Sequence, residues 1–233
     1  MYQHIVAPSV GIGVEESIKA LNTHGKLVKR ENQNLEDDLK EIQLVLDIEN
    51  ITTEPFISRC IFSDIKGLAS YDFEMLYGTS DDRGWKYTYH GLYKPYYNKL
   101  IEELRRNPNT RRARLCIGAL NPDLIYSEDP PCWIEALFVI VDRKLEGTFI
   151  FRSNDGVKAF PMNIHALSML QIQIAEDVGV QPGAMHYIAN NFHCYSRDFE
   201  LIEQYCKNFE TASEKRRFYS MDNILKAWED ISK

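Results

Sequence analysis

No stretch of this 233-residue chain is apolar for long enough to cross a bilayer, and nothing at its start has the pattern of a secretory leader. The chain therefore reads as cytoplasmic, with no membrane partner. A basic excess is missing as well: 27 Lys and Arg stand against 34 Asp and Glu, a net charge of −7. Coating nucleic acid needs a basic footprint, so no nucleic-acid partner is expected, although a local basic pocket for one phosphate is still allowed. The five cysteines, Cys60, Cys116, Cys132, Cys194 and Cys206, form no CxxC pair, which argues against a zinc site. Their odd number and scatter fit reduced thiols. Internal repeats, low-complexity tracts and linkers are absent too. Residues 1–233 thus read as one domain, long enough to bury a sizeable core.

The stretch from Asp129 to Asn163 organises what is present. Cys132 follows a proline pair and precedes an alternating apolar run. A turn at Asp142-Arg143-Lys144 leads to a second run, Leu145 to Phe151, which delivers Arg152, Ser153, Asn154 and Asp155. Two strands in hairpin order would bring the thiol and the Arg-Ser pair to one end of a sheet. A guanidinium beside a thiol lowers its pKa and favours thiolate. An Arg with a Ser hydroxyl also suits a phosphate. Against this stands the ordinary reading: a lone cysteine near a strand is usually a small buried hydrophobe.

Elsewhere the pattern predicts a helix from Val14 to His24, closed by Gly25 as a left-handed cap. The preceding GIG could open a phosphate loop but lacks the usual lysine and flanking strand. Leu27 to Lys40 reads as polar surface, and Ile42 to Ile48 alternates as a half-buried strand. Helices are expected over Ser70–Tyr77, with Ser70 as N-cap and Gly78 as stop, and over Tyr97–Arg106. Arg111 and Arg112 would begin a strand reaching Ala119. A long apolar helix, His165 to Val178, ends at Gly179. A short strand from Ala184 to Ile188 leads to His193 and Tyr195, which point the same way if extended. Helices over Phe199–Phe209 and Ser220–Ile231 complete the chain.

Several words, in order, carry a resemblance: Pro108-Asn109-Thr110-Arg111-Arg112, Pro130-Pro131-Cys132, Arg152-Ser153-Asn154-Asp155, Asn163, and His193-Cys194-Tyr195. Cys132 precedes Arg152 by twenty residues, and Asn163 follows Asp155 by eight. Together, from about Tyr71 to Asp198, they resemble the thymidylate synthase family, most of all its archaeal-type and hydroxymethylase branches. The resemblance implies an α+β fold, a large mixed sheet against helices, with sheet backs forming a homodimer. It implies Cys132 as nucleophile, with Glu74 (Asp72 competing), Tyr89 and Asp155 in the chemistry. It assigns Arg152, Ser153, Asn163, His193 and Tyr195 to a pyrimidine nucleotide monophosphate, and Arg111 and Arg112 to the partner's phosphate. Trp85 and Asp155 would meet 5,10-methylenetetrahydrofolate or methylene-tetrahydromethanopterin. The implied reaction is methylation of dUMP to dTMP. The alternatives are 5-hydroxymethylation of dUMP, dCMP or CMP, and a non-catalytic nucleotide-binding homologue. An amide at Asn163 favours uracil, since relatives acting on cytosine often carry a carboxylate there. Three departures stand out: Trp133 follows the cysteine where the family usually has His, residues 1–30 show no arginine-bearing phosphate loop, and the apolar tail that closes over the folate is missing.

Overall fold

A computed structural model describes residues 1–29, 38–62, 65–78, 87–117 and 122–231, without the side chains of 214 and 215. Strand β1 (Tyr2–Ala7) leads into helix α1 (Val10–His24), then β2 (Lys26–Val28), β3 (Leu39–Ile48) and β4 (Ile57–Ser58). Helices α2 (Ile65–Tyr77) and α3 (Tyr89–Arg106) precede β5 (Arg114–Cys116) and α4 (Pro122–Ile125). Next come β6 (Trp133–Val141), β7 (Lys144–Phe151), β8 (Asn154–Asp155), α5 (Phe160–Val178) and β9 (Gln181–Tyr195). The chain finishes with α6 (Phe199–Thr211), α7 (Glu214–Arg217), β10 (Phe218–Tyr219) and α8 (Met221–Ile231).

Eight strands form one mixed sheet in the order β1-β3-β9-β7-β6-β5, with β2 on β3 and β8 on β9. The fold is α+β, a large mixed sheet against helices. Parallel neighbours cannot be joined by a tight turn. Two parallel pairs, β1 with β3 at one edge and β7 with β9 in the middle, are accordingly bridged by α1 and α5. Both helices cover the same face. Ile18 and Leu21 of α1, with Ile164, Leu167, Leu170 and Ile174 of α5, are fully buried against Leu44, Leu46, Phe149 and Tyr187 of the sheet. Each such side chain contributes about 1.5–3 kcal/mol of burial. The opposite face is open: Leu137, Val139 and Val141 of β6 and Tyr2 and Val6 of β1 are exposed.

The β6–β7 hairpin forms where the alternation predicts it. Asp142 and Arg143, at φ 49° and 63°, make a two-residue turn of the hand that matches strand twist. Gly179, at φ 87°, closes α5 and donates its N–H to the carbonyls of Ala175 and Glu176, as expected.

Other expectations need correction. The strand β1 has no clear signal in the mixed opening residues. Helix α1 starts at Val10, four residues early, so GIG is helix and no phosphate loop. Its glycines serve packing: a Cβ on Gly11 would lie 2.8 Å from the Pro55 carbonyl oxygen. Close approach outweighs helix propensity here. Gly25 is extended rather than left-handed (φ −61°, ψ 129°), and Leu39 is buried in β3 rather than surface. Ser70 lies inside α2, which begins at Ile65, so it is no cap. Helix α3 starts at Tyr89, capped by the Thr88 side chain, and carries Pro95 inside it. Arg111 and Arg112 precede β5 instead of starting it, and residues 118–119 of the expected strand lie outside the described residues. Helix α5 begins at Phe160, which puts Asn163 in its first turn, and β9 is one continuous strand of 15 residues.

Candidate active site

The hairpin brings its two open ends together, because Trp133 pairs with Phe151. Cys132 and Arg152 are the next residues outward. The Arg152 backbone N–H donates to the Cys132 carbonyl at 2.9 Å. Its guanidinium donates through Nε to the Pro131 carbonyl at 2.9 Å and through Nη2 to the Pro130 carbonyl at 2.6 Å, and the same Nη2 lies 3.7 Å from the Cys132 sulfur. The proline pair thus presents two carbonyls that aim the arginine at the thiol. The expected lowering of the thiol pKa does not prevail. Burial pushes Cys132 up, Arg152 pulls against it, and the carboxylates of Asp129 and Asp155 add to the rise. One half-exposed positive charge does not outweigh desolvation plus two negative neighbours.

Beyond Arg152 the chain stays on the same edge. Ser153 places its hydroxyl 3.3 Å from Nδ1 of His193 and 3.5 Å from the Asn191 side-chain oxygen. Asn191 in turn donates to Glu41 at 2.5 Å. Asp155 pairs with His193 across β8 and β9. One of its oxygens accepts the N–H groups of Val157 and Lys158, at 2.9 and 3.1 Å. His193 and Tyr195 lie on one side of β9 with ring centroids 4.9 Å apart, edge to face, while Cys194 between them is fully buried.

Aromatic residues wall the other side. The Tyr89 hydroxyl accepts the Trp133 backbone N–H at 3.3 Å, and its ring meets Trp133 at 5.6 Å. Burial, and then the Cys132 sulfur, push the Tyr89 phenol up, so it stays protonated. Trp133 itself is fully buried among Tyr89, Tyr93 and Phe149. It therefore fills the core beneath the cysteine and does not reach into the site, which accounts for a tryptophan at this position.

Asn163 is 5% exposed, and two partners hold its amide. Its oxygen accepts from the Tyr71 hydroxyl at 2.5 Å, and its nitrogen donates to the Asn154 side-chain oxygen at 3.2 Å. Asn154 then donates to the Tyr187 hydroxyl at 2.8 Å. The sequence reading missed Tyr71, Asn154 and Tyr187. Only Asn154 had a signal, its place inside Arg-Ser-Asn-Asp. Of the two carboxylates on α2, Asp72 is fully buried, accepting from His165 at 2.8 Å and from the Trp228 indole at 3.3 Å. It anchors helices. Glu74 lies one helical turn from Tyr71, and its charge adds to burial and Tyr89 in pushing the Tyr71 phenol well up.

Among the described residues no group of three or more His, Cys, Asp or Glu is placed to hold a metal, and no helix is long and apolar enough to cross a membrane. The family model for thymidylate synthase matches residues 68–226. The chain belongs to the thymidylate synthase family. A protein of Methanocaldococcus jannaschii named "Putative thymidylate synthase" is 30% identical over 214 residues, 86% of this chain and 95% of its own. Proteins with the same name from Methanosarcina barkeri and Methanosarcina mazei are 26% and 27% identical, over 82% and 79% of this chain and 88% and 85% of their own lengths.

Membership in the thymidylate synthase family makes this a one-carbon transferase acting on a pyrimidine nucleotide, with a carrier of the methylenetetrahydrofolate type. For such a carrier the described residues offer Asp155, whose second oxygen can accept a pterin N–H, and the half-buried face of Tyr87 near Cys132. These fit a flat, donor-rich ring. Trp85, expected there too, lies outside the described residues. Arg111 and Arg112 are exposed, and the structure does not bring them to Cys132 within one chain. The next residue, Ala113, accepts from Phe138, six residues along β6 from Cys132, about 20 Å at strand rise.

Proposed function

We propose that the protein adds a one-carbon unit to carbon 5 of dUMP, giving dTMP, through a covalent adduct on Cys132. The observation that carries this reading is the guanidinium of Arg152 held 3.7 Å from the Cys132 sulfur at the edge where Ser153 and His193 also meet. Carbon 5 of a pyrimidine is a weak nucleophile. When the Cys132 thiolate bonds to carbon 6, the electron pair of the 5,6 double bond moves towards carbon 5 and O4, and carbon 5 can then attack. Arg152 favours the thiolate and, with Ser153, takes the phosphate. Asn163 offers a donor and an acceptor to the base. His193 and Tyr195 share a sugar hydroxyl. Tyr89, a neutral phenol, can relay the proton leaving carbon 5, with Glu74 ordering the water nearby; the electron pair left behind would release the new carbon from its carrier, and once that carbon has taken up hydride the 5,6 double bond can re-form and expel the thiolate. A reduced folate or methanopterin supplies the methylene carbon and, for a methyl product, the hydride. Asp155, with Trp85, would hold that carrier.

The reading includes a homodimer. Its support is the uncovered sheet face carrying Leu137, Val139 and Val141, of the kind that marks an interface. Arg111 and Arg112, remote from Cys132 in their own chain, would serve the partner's phosphate.

The test is mass spectrometry of the product formed from dUMP and a methylene carrier. A mass gain of one CH₂ is expected. A gain of CH₂O would move the reading to a hydroxymethylase, and no modified nucleotide would contradict both.

A further inference from the structure

We infer that Tyr71 and Asn154 are positioning residues that fix which pyrimidine base this site accepts, by holding the Asn163 amide in one orientation. The inference rests on the reaction proposed above. An asparagine amide has two N–H donors and two oxygen lone pairs. Tyr71 takes one lone pair of Asn163 and Asn154 takes one N–H. One donor and one acceptor remain for the base. Uracil presents O4 as acceptor and N3–H as donor, whereas cytosine presents an amino donor and N3 as acceptor. Turning the amide over exchanges its two ends, and so exchanges the base it suits.

The surroundings resist that turn. Rotating Asn163 alone would set its oxygen against the Asn154 oxygen, two acceptors with no proton between them. Asn154 is 1% exposed, so water cannot mend the mismatch. Asn163 can turn only if Asn154 turns with it, and Asn154 is tied to the fully buried Tyr187 hydroxyl. The four side chains change polarity together or not at all. Burial and its neighbours keep Tyr71 protonated, so at ordinary pH its hydroxyl can donate to the Asn163 oxygen. Base choice is therefore a property of the chain Tyr71–Asn163–Asn154–Tyr187, and it comes from three elements, α2, β8 and α5, plus the centre of β9.

The experiment measures tritium release from 5-tritiated dUMP and dCMP, as a ratio of kcat/KM, for wild type, Tyr71→Phe, Asn154→Ala and Asn154→Asp. Whichever base the wild type favours, Tyr71→Phe and Asn154→Ala should each narrow the ratio by about tenfold, the worth of one buried hydrogen bond. Asn154→Asp should keep it, because an ionised carboxylate only accepts and so holds the same Asn163 N–H. A purely structural role would lower both rates and leave the ratio unmoved. An unchanged ratio in Tyr71→Phe and Asn154→Ala, beside an active wild type, overturns this inference alone. A wild type that releases tritium from neither nucleotide overturns it together with the reaction it rests on.

Discussion

Cys132 is held between opposing influences. Burial and two carboxylates keep it a thiol, and one guanidinium works to make it a thiolate. The raised pKa means less thiolate at neutral pH than in a free cysteine. Alkylation by iodoacetamide, corrected with Cys132→Ser for the other cysteines, should therefore rise with pH through a midpoint above the ordinary thiol value. Arg152→Gln removes the one lowering influence and should move that midpoint higher still. A wild-type midpoint below the ordinary value would contradict this balance. The pairing of Cys132 with Arg152 was legible in the sequence, since hairpin order alone brings residues 132 and 152 together. The sign of the pKa shift was not, because it depends on how deeply the thiol is buried and on where Asp129 and Asp155 turn. Tyr71 was illegible for a similar reason. A tyrosine on an apolar helix reads as core, and only the packing of α2 on α5 sets its hydroxyl on Asn163.

At the scale of elements, Asp72 joins three helices. It is fully buried, accepts from His165 on α5 and from Trp228 on α8, and sits next to Tyr71 on α2. Burial raises its pKa, while the two hydrogen bonds hold it down. Asp72→Ala would strand the buried His165 donor and the partly buried Trp228 indole, at a cost of about 3 kcal/mol. In a chain of this size the melting temperature should fall by roughly 10 °C. A melting temperature within a degree of wild type would contradict the anchor. The long helix α5 was legible because apolar residues recur along its whole length and a glycine ends it. The starts of α1, α2 and α3 were not. Glycine at 11 and 13, proline at 95 and the tyrosines at 87, 89, 93 and 97 obscure the helical period, and tertiary packing overrides them.

At the scale of the molecule, one sheet face is covered by α1 and α5 and the other is bare among the described residues, which suits a symmetric pairing of sheet backs. A dimer in analytical ultracentrifugation is expected. Replacing Arg111 and Arg112 together by alanine should weaken dUMP binding at least about 100-fold, since each charge-assisted hydrogen bond is worth about 1.5–3 kcal/mol. A monomer with full activity would refute the shared site. The mixed sheet could be expected from family resemblance, but its strand order could not be read from the chain, because β1 and the full length of β9 gave no clear period. The central claim is a covalent bond between Cys132 and carbon 6 of a uridylate. Tritium release from 5-tritiated dUMP tests it most directly. Wild type should release tritium and Cys132→Ser should release none, whereas release by Cys132→Ser at the wild-type rate would contradict the claim.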